Sequence, residues 1–172
     1  IRFLRYAERV RFVPPLPAKA GPVLFCGASP GLLSELDPFL LDLRAGRAFV
    51  VCADTALGPL ISLGIRPDLV ISVDSGRGTA FHFFAALAIE PDLSQIPVLT
   101  WTGGSPVLSL FSHRVLYYRT TFPFDQLLGE GPASDVPVWK NASRNTAGIA
   151  LHTAQALGRT RLFLAGCSFR TE

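Results

Sequence analysis

Small and polar residues follow apolar runs at five places along the chain, and these residues are the ones best suited to chemistry. The five segments are Gly27-Ala28-Ser29, Ala53-Asp54-Thr55, Asp74-Ser75-Gly76, Thr102-Gly103-Gly104-Ser105 and Gly166-Cys167-Ser168. Glycine lets a backbone approach a ligand closely, and exposed N–H groups near a helix start favour anions. The spacing therefore predicts a site for a nucleotide's phosphate or sugar, with Gly27, Ala28, Ser29 and Pro30 as its first loop.

A second group of candidate ligand contacts lies just before and at the start of the last helical pattern. Amide, hydroxyl and guanidinium groups come together there, in Asn141, Ser143, Arg144, Asn145 and Thr146. Such groups form the hydrogen bonds that hold a nucleotide, and a guanidinium suits a phosphate. The predicted nucleotide-binding set is completed at the strand ends by Asp54, Thr55, Ser75, Gly103, Gly104 and Ser105.

Two side chains are candidates for the general base that takes a proton from an acceptor hydroxyl. Asp74 ends an apolar run, where a lone carboxylate is hard to explain structurally, and His82 follows in the next helical pattern. Because His82 stands among phenylalanines, packing is the alternative role for it. Asp54 and Asp74 could together hold one Mg²⁺ ion, whereas Asp54 could instead be a helix N-cap.

Motifs of two common nucleotide sites are missing from the first loop. Its sequence GASPG is neither G-x-G-x-x-G nor the phosphate loop that ends in Gly-Lys-Ser/Thr. Hydride transfer with NAD and ordinary ATPase chemistry therefore lose support, and a tight turn without a ligand is the structural alternative. Cys26, Cys52 and Cys167 lack the paired spacing of a metal site, so we expect buried thiols in a reducing compartment.

The elements that must position these groups alternate along the chain. Short apolar runs predict strands at Val23–Cys26, Ala48–Cys52, Leu69–Val73, Val98–Trp101, Val115–Tyr118 and Arg161–Ala165. Helices are predicted from an Asp37-Pro38 start to Gly46, over Thr55–Leu63 behind an Asp54 cap, and over Thr79–Ala88 and Thr146–Gly158. This repetition predicts an α/β fold, a Rossmann-like three-layer sandwich with a mainly parallel sheet.

Composition bounds the class of protein. The chain has 172 residues, of which 49% are hydrophobic and 17% charged, as expected for one folded domain with a sizeable core. A net charge of +3 gives little support for nucleic-acid binding, and no apolar run is long enough to span a membrane. We expect residues 1–21 to be an N-terminal extension or linker and residues 22–172 to be the domain. Since the chain has no methionine, we expect it to be a fragment of a longer protein. We also expect that protein to be cytoplasmic.

The least regular segment runs from Thr120 to Asn145. Its length and its proline and glycine content predict a long connection, either a binding loop or a surface excursion. Trp139 in this segment, together with Tyr117 and Tyr118 before it, could stack on a base or pterin ring. Packing in the core or at its rim is the alternative role for these three rings.

Several segments, taken in order, resemble one protein family. They are FCGASPGLLSEL, AFVVCADTALGPLISLGIRPDLVISVDSG, FHFF and NTAGIALHTAQALGRTRLFLAGCSF. They are similar to segments of the bacterial motility accessory factors and the archaeal MptE-like proteins, over roughly Pro22 to Phe169. The stretch GIRPDLVISVD is the most diagnostic part. The sequence departs from the usual pattern of the family at Gly31 and at Cys167-Ser168.

The resemblance implies a fold related to the bacterial sialyltransferases and leaves two activities open. For motility accessory factors it implies a glycosyltransferase that moves a nonulosonic acid from a CMP donor to flagellin, with no cofactor required. For MptE-like proteins it implies a 6-hydroxymethyl-7,8-dihydropterin pyrophosphokinase that uses ATP and Mg²⁺. We expect the glycosyltransferase, with the pyrophosphokinase and a nucleotide-binding module without catalysis as alternatives.

Overall fold

The structure is a computed structural model that describes residues 21–128, 136–139 and 145–167. In these ranges it contains the strands β1 (Val23–Cys26), β2 (Phe49–Ala53), β3 (Leu69–Ile71), β4 (Val98–Trp101), β5 (Val115–Tyr118) and β6 (Leu162–Ala165). The helices are α1 (Leu32–Leu36), α2 (Leu40–Arg44), α3 (Asp54–Ser62), α4 (Thr79–Leu87), α5 (Pro123–Leu128) and α6 (Thr146–Ala156), with 3₁₀ turns at Asp37–Phe39 and Pro106–Leu110.

The strands form one parallel sheet in the order β5-β4-β3-β2-β1-β6. The chain adds β2 to β5 successively on one side of β1 and then returns to place β6 on the other side. Because crossovers between parallel strands are right-handed, this reversal puts α6 on the opposite face from the earlier helices. Accordingly Leu57 of α3 and Phe83 of α4 belong to one core, and Ile149 of α6 to the other. The predicted three-layer α/β fold is confirmed.

Burial differs between the centre of the sheet and its β6 edge. All residues of β2 are buried, because helices cover both faces of a central parallel strand. In β6, Phe163 and Leu164 are 54% and 50% exposed. Successive side chains of a strand point to opposite faces, so both faces of this edge strand are only partly covered.

Two predicted helix starts are wrong. The first helix begins at Leu32 rather than at Asp37-Pro38, which form a 3₁₀ turn before α2. Proline has no N–H to donate, so α1 ends before it and the chain continues as a separate helix. Asp54 is the first residue of α3 and not its cap, a position that Ala53 takes. The predicted ends at Gly46 and Gly64 agree with the structure, since both have the positive φ of helix-ending glycines.

Other boundaries shift slightly, and one loop contains a helix. β2 begins and ends one residue later than predicted, β3 ends at Ile71, and β6 begins at Leu162. The segment expected to be irregular from Thr120 onwards contains α5, followed by a single parallel bridge between Arg119 and Val138. No helix in the described part of the chain is both long enough and apolar enough to cross a membrane.

The cysteines are unpaired, as predicted, but only two of the three are buried. All three are free; Cys26 and Cys52 are fully buried and paired in register across β1 and β2, and Cys167 is half-buried. Burial, and secondarily the nearby Cys167, raises the pKa of Cys26 to about 12. Burial also raises the pKa of Cys52. Thiols with raised pKa values are poor nucleophiles, so the two buried cysteines are core residues.

Candidate functional site

The loop after β1 lies at the switch point of the sheet, beside the end of β6. The Gly27 N–H donates to the Ala165 carbonyl at 2.8 Å, and the Ser29 N–H donates to the Gly166 carbonyl at 2.9 Å. A Cβ atom on Gly27 would lie 2.4 Å from that Gly166 oxygen, so the contact of two backbones requires glycine here. The two backbones therefore close on each other at this switch point.

The carboxylate of Glu35 in α1 makes a further contact in the same region. The Gly166 N–H donates to Oε2 of Glu35 at 2.8 Å, which leaves this N–H bonded to the protein rather than to an anion. The Ser29 hydroxyl oxygen is buried and makes no hydrogen bond with the described residues, so it stays a candidate ligand contact. Ala28 and Pro30 are exposed beside it.

A buried carboxyl group lies at the end of β2. Asp54 is 6% exposed; its Oδ1 accepts the Thr55 N–H at 2.8 Å, and its Oδ2 accepts the Ser72 hydroxyl at 2.6 Å. Burial raises the pKa of Asp54, partly offset by these hydrogen bonds and by the nearby His82, while the charge of Asp74 raises it further. The structure thus brings Asp74 and His82 each within electrostatic reach of Asp54.

The loop after β4 folds back on its own strand. A Cβ atom on Gly103 would lie 2.3 Å from the Trp101 ring, and one on Gly104 would contact the Thr100 hydroxyl. The Ser105 N–H donates to the Asp74 carbonyl at 3.1 Å, which ties this loop to the end of β3. These glycines, predicted as nucleotide contacts, allow close packing over Trp101 and Thr100. The Ser105 hydroxyl is buried without a partner among the described residues.

A buried aspartate joins the ends of β4 and β5. Asp125 of α5 is 1% exposed and accepts the Thr102 hydroxyl through Oδ1. Its Oδ2 accepts the Thr120 N–H at 2.8 Å and the Thr120 hydroxyl at 2.5 Å. The Thr120 hydroxyl oxygen in turn accepts the Phe122 N–H at 3.1 Å. Asp125 therefore fixes the loop between β5 and α5.

A cleft of about 360 Å³ opens at the ends of β3, β4 and β5, on the α6 face of the sheet. Its walls are mostly apolar and aromatic, and the residues that line it are Val73, Trp101, Tyr118, Thr120, Thr121, Phe122, Pro123, Trp139 and Ile149. Asp74 directly follows the lining residue Val73 and is exposed. Asp74 therefore follows a cleft residue in sequence and also interacts electrostatically with Asp54.

Ring contacts and a hydrogen bond hold the aromatic walls in place. Trp139 stacks on Tyr118 with centroids 5.1 Å apart and on His152 at 5.8 Å. The Trp101 indole N–H donates to the Val73 carbonyl at 2.8 Å. Tyr118 and Trp139 are buried, so the packing alternative proposed for them is correct, and both also line the cleft.

The start of α6 is capped by the side chain of Asn145. The Asn145 side chain accepts the Gly148 N–H at 2.8 Å, and Thr146 is the first helical residue. Capping occupies this side-chain oxygen, which had been predicted to contact a nucleotide. The predicted contacts Asn141, Ser143 and Arg144 lie outside the described residues.

Among the described residues, no third ligand joins Asp54 and Asp74 to complete a magnesium clamp of the kind that pyrophosphoryl transfer needs. Nowhere in the described ranges do three His, Cys, Asp or Glu side chains group so that they could hold a metal. Asp54 is also unsuited, because both its oxygens accept hydrogen bonds within the protein and its raised pKa opposes the ionised form. Asp74 is then the one exposed carboxylate of the predicted metal pair.

The predicted site residues are divided among several strand ends, with Gly103, Gly104 and Ser105 after β4 and Asn145 and Thr146 at the start of α6. Asp54, Thr55, Asp74, Ser75 and His82 lie around the ends of β2 and β3, whereas Gly27 to Pro30 lie at the closed switch point. Sequence reasoning missed Trp101, Phe122 and Asp125, which build or support the cleft. The polar residue Thr120 after β5 was the available signal, since the end of β5 lies at the same edge of the sheet as the other strand ends.

A parallel sheet with one switch point and a cleft at its carboxyl edge defines a Rossmann-like α/β domain. Residues 4–172 match the model of the family described as 6-hydroxymethylpterin diphosphokinase MptE-like, so the chain belongs to that family. The resemblance seen in the sequence is thereby confirmed. No curated protein gives a significant match to the sequence.

The fold is also that of a solved glycosyltransferase structure. The chain is similar to the MAf glycosyltransferase from Magnetospirillum magneticum AMB-1, with a TM-score of 0.72 and 17% sequence identity. The match covers 99% of this chain and 28% of that one, so the chain spans less than a third of that protein's length. At this identity the likeness shows the shared fold.

Proposed function

We propose that this domain is a nucleotide-dependent transferase that moves a sugar, a CMP-linked nonulosonic acid, to an acceptor hydroxyl. The position of Asp74 carries the proposal. Asp74 is exposed, directly follows the cleft residue Val73 in sequence, and lies within electrostatic reach of Asp54, as His82 also does. The description of the family names a diphosphokinase, and the similar solved structure is that of a glycosyltransferase. Both are transferases, so both comparisons support a transferase.

Each group has a role that its position allows. The cleft holds part of the donor, and the polar strand ends hold its sugar and phosphate. Asp74 takes the proton of the acceptor hydroxyl as its oxygen attacks the anomeric carbon of the donor sugar. The bond from that carbon to the phosphate oxygen breaks, and the nucleotide leaves with the bonding electron pair. His82, near Asp54, is the second group that can accept a proton.

Sugar transfer fits these residues better than pyrophosphoryl transfer. A pyrophosphokinase needs several ionised carboxylates around Mg²⁺, and Asp54 is a buried group whose pKa is raised. A departing nucleotide phosphate needs hydrogen-bond donors, which hydroxyl and backbone N–H groups supply without a metal. We therefore propose that no metal cofactor is required. The acceptor that the resemblance implies is a serine or threonine of flagellin.

The test measures CMP release from a CMP-linked nonulosonic acid by the full-length polypeptide that carries this domain, with EDTA and a flagellin acceptor. Asp74→Asn should lower the transfer rate by about 100-fold or more, since it removes the base. The Kd for CMP and the unfolding midpoint should hardly change. Asp92→Asn is the matched control, because Asp92 is an exposed aspartate in the loop before β4, away from the cleft.

Two results would overturn the proposal. Full activity of Asp74→Asn would remove Asp74 from the reaction. Transfer of pyrophosphate from ATP to a hydroxymethylpterin, dependent on Mg²⁺ and in the absence of CMP-sugar turnover, would make the domain a pyrophosphokinase.

A further inference from the structure

We propose that the cleft at the ends of β3, β4 and β5 is a subsite for a planar, uncharged heteroaromatic ring of the ligand. This inference rests on the proposed function and specifies which part of the nucleotide the cleft would hold. The cleft volume of about 360 Å³ lies in the range of small-ligand sites, and it exceeds what a single ring needs.

The charge of the lining favours a ring over a phosphate. None of the described residues that line the cleft carries a charge at neutral pH. Tyr118 stays neutral as well, because burial and, secondarily, the charge of Asp125 raise its pKa. A phosphate placed among these apolar walls would lose its hydration without gaining a countercharge. The phosphate therefore belongs outside the cleft, towards the strand ends, and the base belongs inside it.

The aromatic walls are held rigidly enough to recognise a flat ring. Trp101 is fixed by the hydrogen bond from its indole N–H to the Val73 carbonyl and by the packing of Gly103 against its ring. Trp139 is held by stacking contacts with Tyr118 and with His152. A preformed apolar slot loses little conformational entropy when a ring enters it.

Phe122 supplies the exposed aromatic surface of the cleft. Its side chain is 62% exposed although it lines the cleft, and its backbone is held by the Thr120 hydroxyl that Asp125 orients. An exposed ring at the mouth of an aromatic cleft can stack on a base without any core rearrangement. Truncation of Phe122 should therefore lower ring affinity and leave folding unaffected.

The experiment measures binding to the full-length polypeptide by calorimetry, with CMP, AMP and pterin as ring probes and ribose 5-phosphate as the probe without a ring. Phe122→Ala should raise the Kd of the bound ring probe about tenfold, a typical stacking loss. Phe39→Ala is the matched control, since Phe39 is 57% exposed in the turn before α2, away from the cleft. Ribose 5-phosphate should bind at least tenfold more weakly than the ring probe and be insensitive to Phe122→Ala.

Every outcome decides the inference. Equal binding of ribose 5-phosphate and CMP, an unchanged Kd for Phe122→Ala, or no binding of any ring probe would overturn it. The identity of the ring that binds tells a cytidine donor from an adenine or pterin ligand. Ring binding that depends on Phe122 without sugar transfer would refute the proposed function alone, and sugar transfer that is insensitive to Phe122→Ala would refute the subsite alone.

Discussion

The two ends of the carboxyl edge of this sheet differ in what fills them. At the β1–β6 end, Gly27 and Gly166 contact each other through their backbones, and the Glu35 carboxylate accepts the Gly166 N–H. At the β3–β5 end, side chains rather than backbone form the walls, and they leave a cleft. The switch point, where ligands of such sheets are usually held, is the closed end here.

The difference shows that a glycine after a strand has more than one use. GASPG has the composition of a ligand-binding loop, yet Gly27 is required because β6 packs against it. Gly103 and Gly104 likewise make room for Trp101 and Thr100. In this domain, glycines bring parts of the protein together at several strand ends, and aromatic side chains leave the space for a ligand.

The largest effect should come from disturbing the closed end. Gly27→Ala places a Cβ atom 2.4 Å from the Gly166 carbonyl oxygen, so two backbones must separate. We expect a loss of about 3 kcal/mol in the free energy of unfolding, measured by urea denaturation. Gly78→Ala is the control, because a Cβ there meets nothing within 4 Å. Equal stabilities of the two variants would mean that the end is not closed by this contact.

A smaller loss should follow from releasing the support of the cleft. Asp125→Asn replaces one acceptor oxygen with an amide NH2 group, which would face hydrogen-bond donors at a buried site. We expect a loss of about 2 kcal/mol in urea denaturation and weaker binding of a ring probe. Asp42→Asn, which loses only an exposed pair with Arg47, should cost less than about 0.5 kcal/mol. If Asp125→Asn were as mild as Asp42→Asn, Asp125 would not fix the loop.

Moving one wall of the cleft should change binding more than folding. Gly103→Ala pushes the Trp101 ring from its position, since the added Cβ would lie 2.3 Å from that ring. We expect roughly a fivefold rise in the Kd of the ring probe, or about 1 kcal/mol, with a shift in tryptophan fluorescence. Gly76→Ala, whose nearest contact would be 3.9 Å away, should change neither. An unaltered Kd in Gly103→Ala would separate Trp101 from the ring site.

The smallest expected effect is on the pH dependence of stability, and it concerns Asp54 at the end of β2, between the β1–β6 end and the β3–β5 end. Its pKa is raised in the folded chain from the usual value of 3.8, so the folded state binds the proton more tightly than the unfolded state. The wild type therefore loses stability as the pH rises from that value through the raised pKa. Asp54→Asn does not titrate, so its stability relative to wild type should increase as the pH rises above about 4. A constant difference over that range would show that Asp54 is not perturbed by burial.

Much of the fold could be predicted because the apolar runs and helical patterns are local. The strands appear within two residues of their predicted ends, and the paired order of β1 and β2 follows from short crossovers. The helix start at Leu32 could not be predicted as easily, since Asp37-Pro38 is a stronger local start signal than the turn before Leu32.

The site was less predictable because it depends on contacts distant in sequence. Asp125 accepts a hydrogen bond from the Thr102 hydroxyl, which is distant from it in the sequence. Only the folded sheet brings β4 and β5 together at that point. The closed switch point likewise depends on Gly166, more than one hundred residues after Gly27. Spacing identified the polar strand ends at the edge, but it could not tell which end was filled.

The partly covered β6 has a consequence for handling the domain. Within the described residues its outer side has no neighbouring strand, while Phe163 and Leu164 leave about half of their surface in water. An open strand flanked by apolar side chains is a template on which another copy can add by main-chain pairing. We expect preparations of this domain to self-associate as concentration increases, and a charged substitution such as Phe163→Lys to keep them monodisperse.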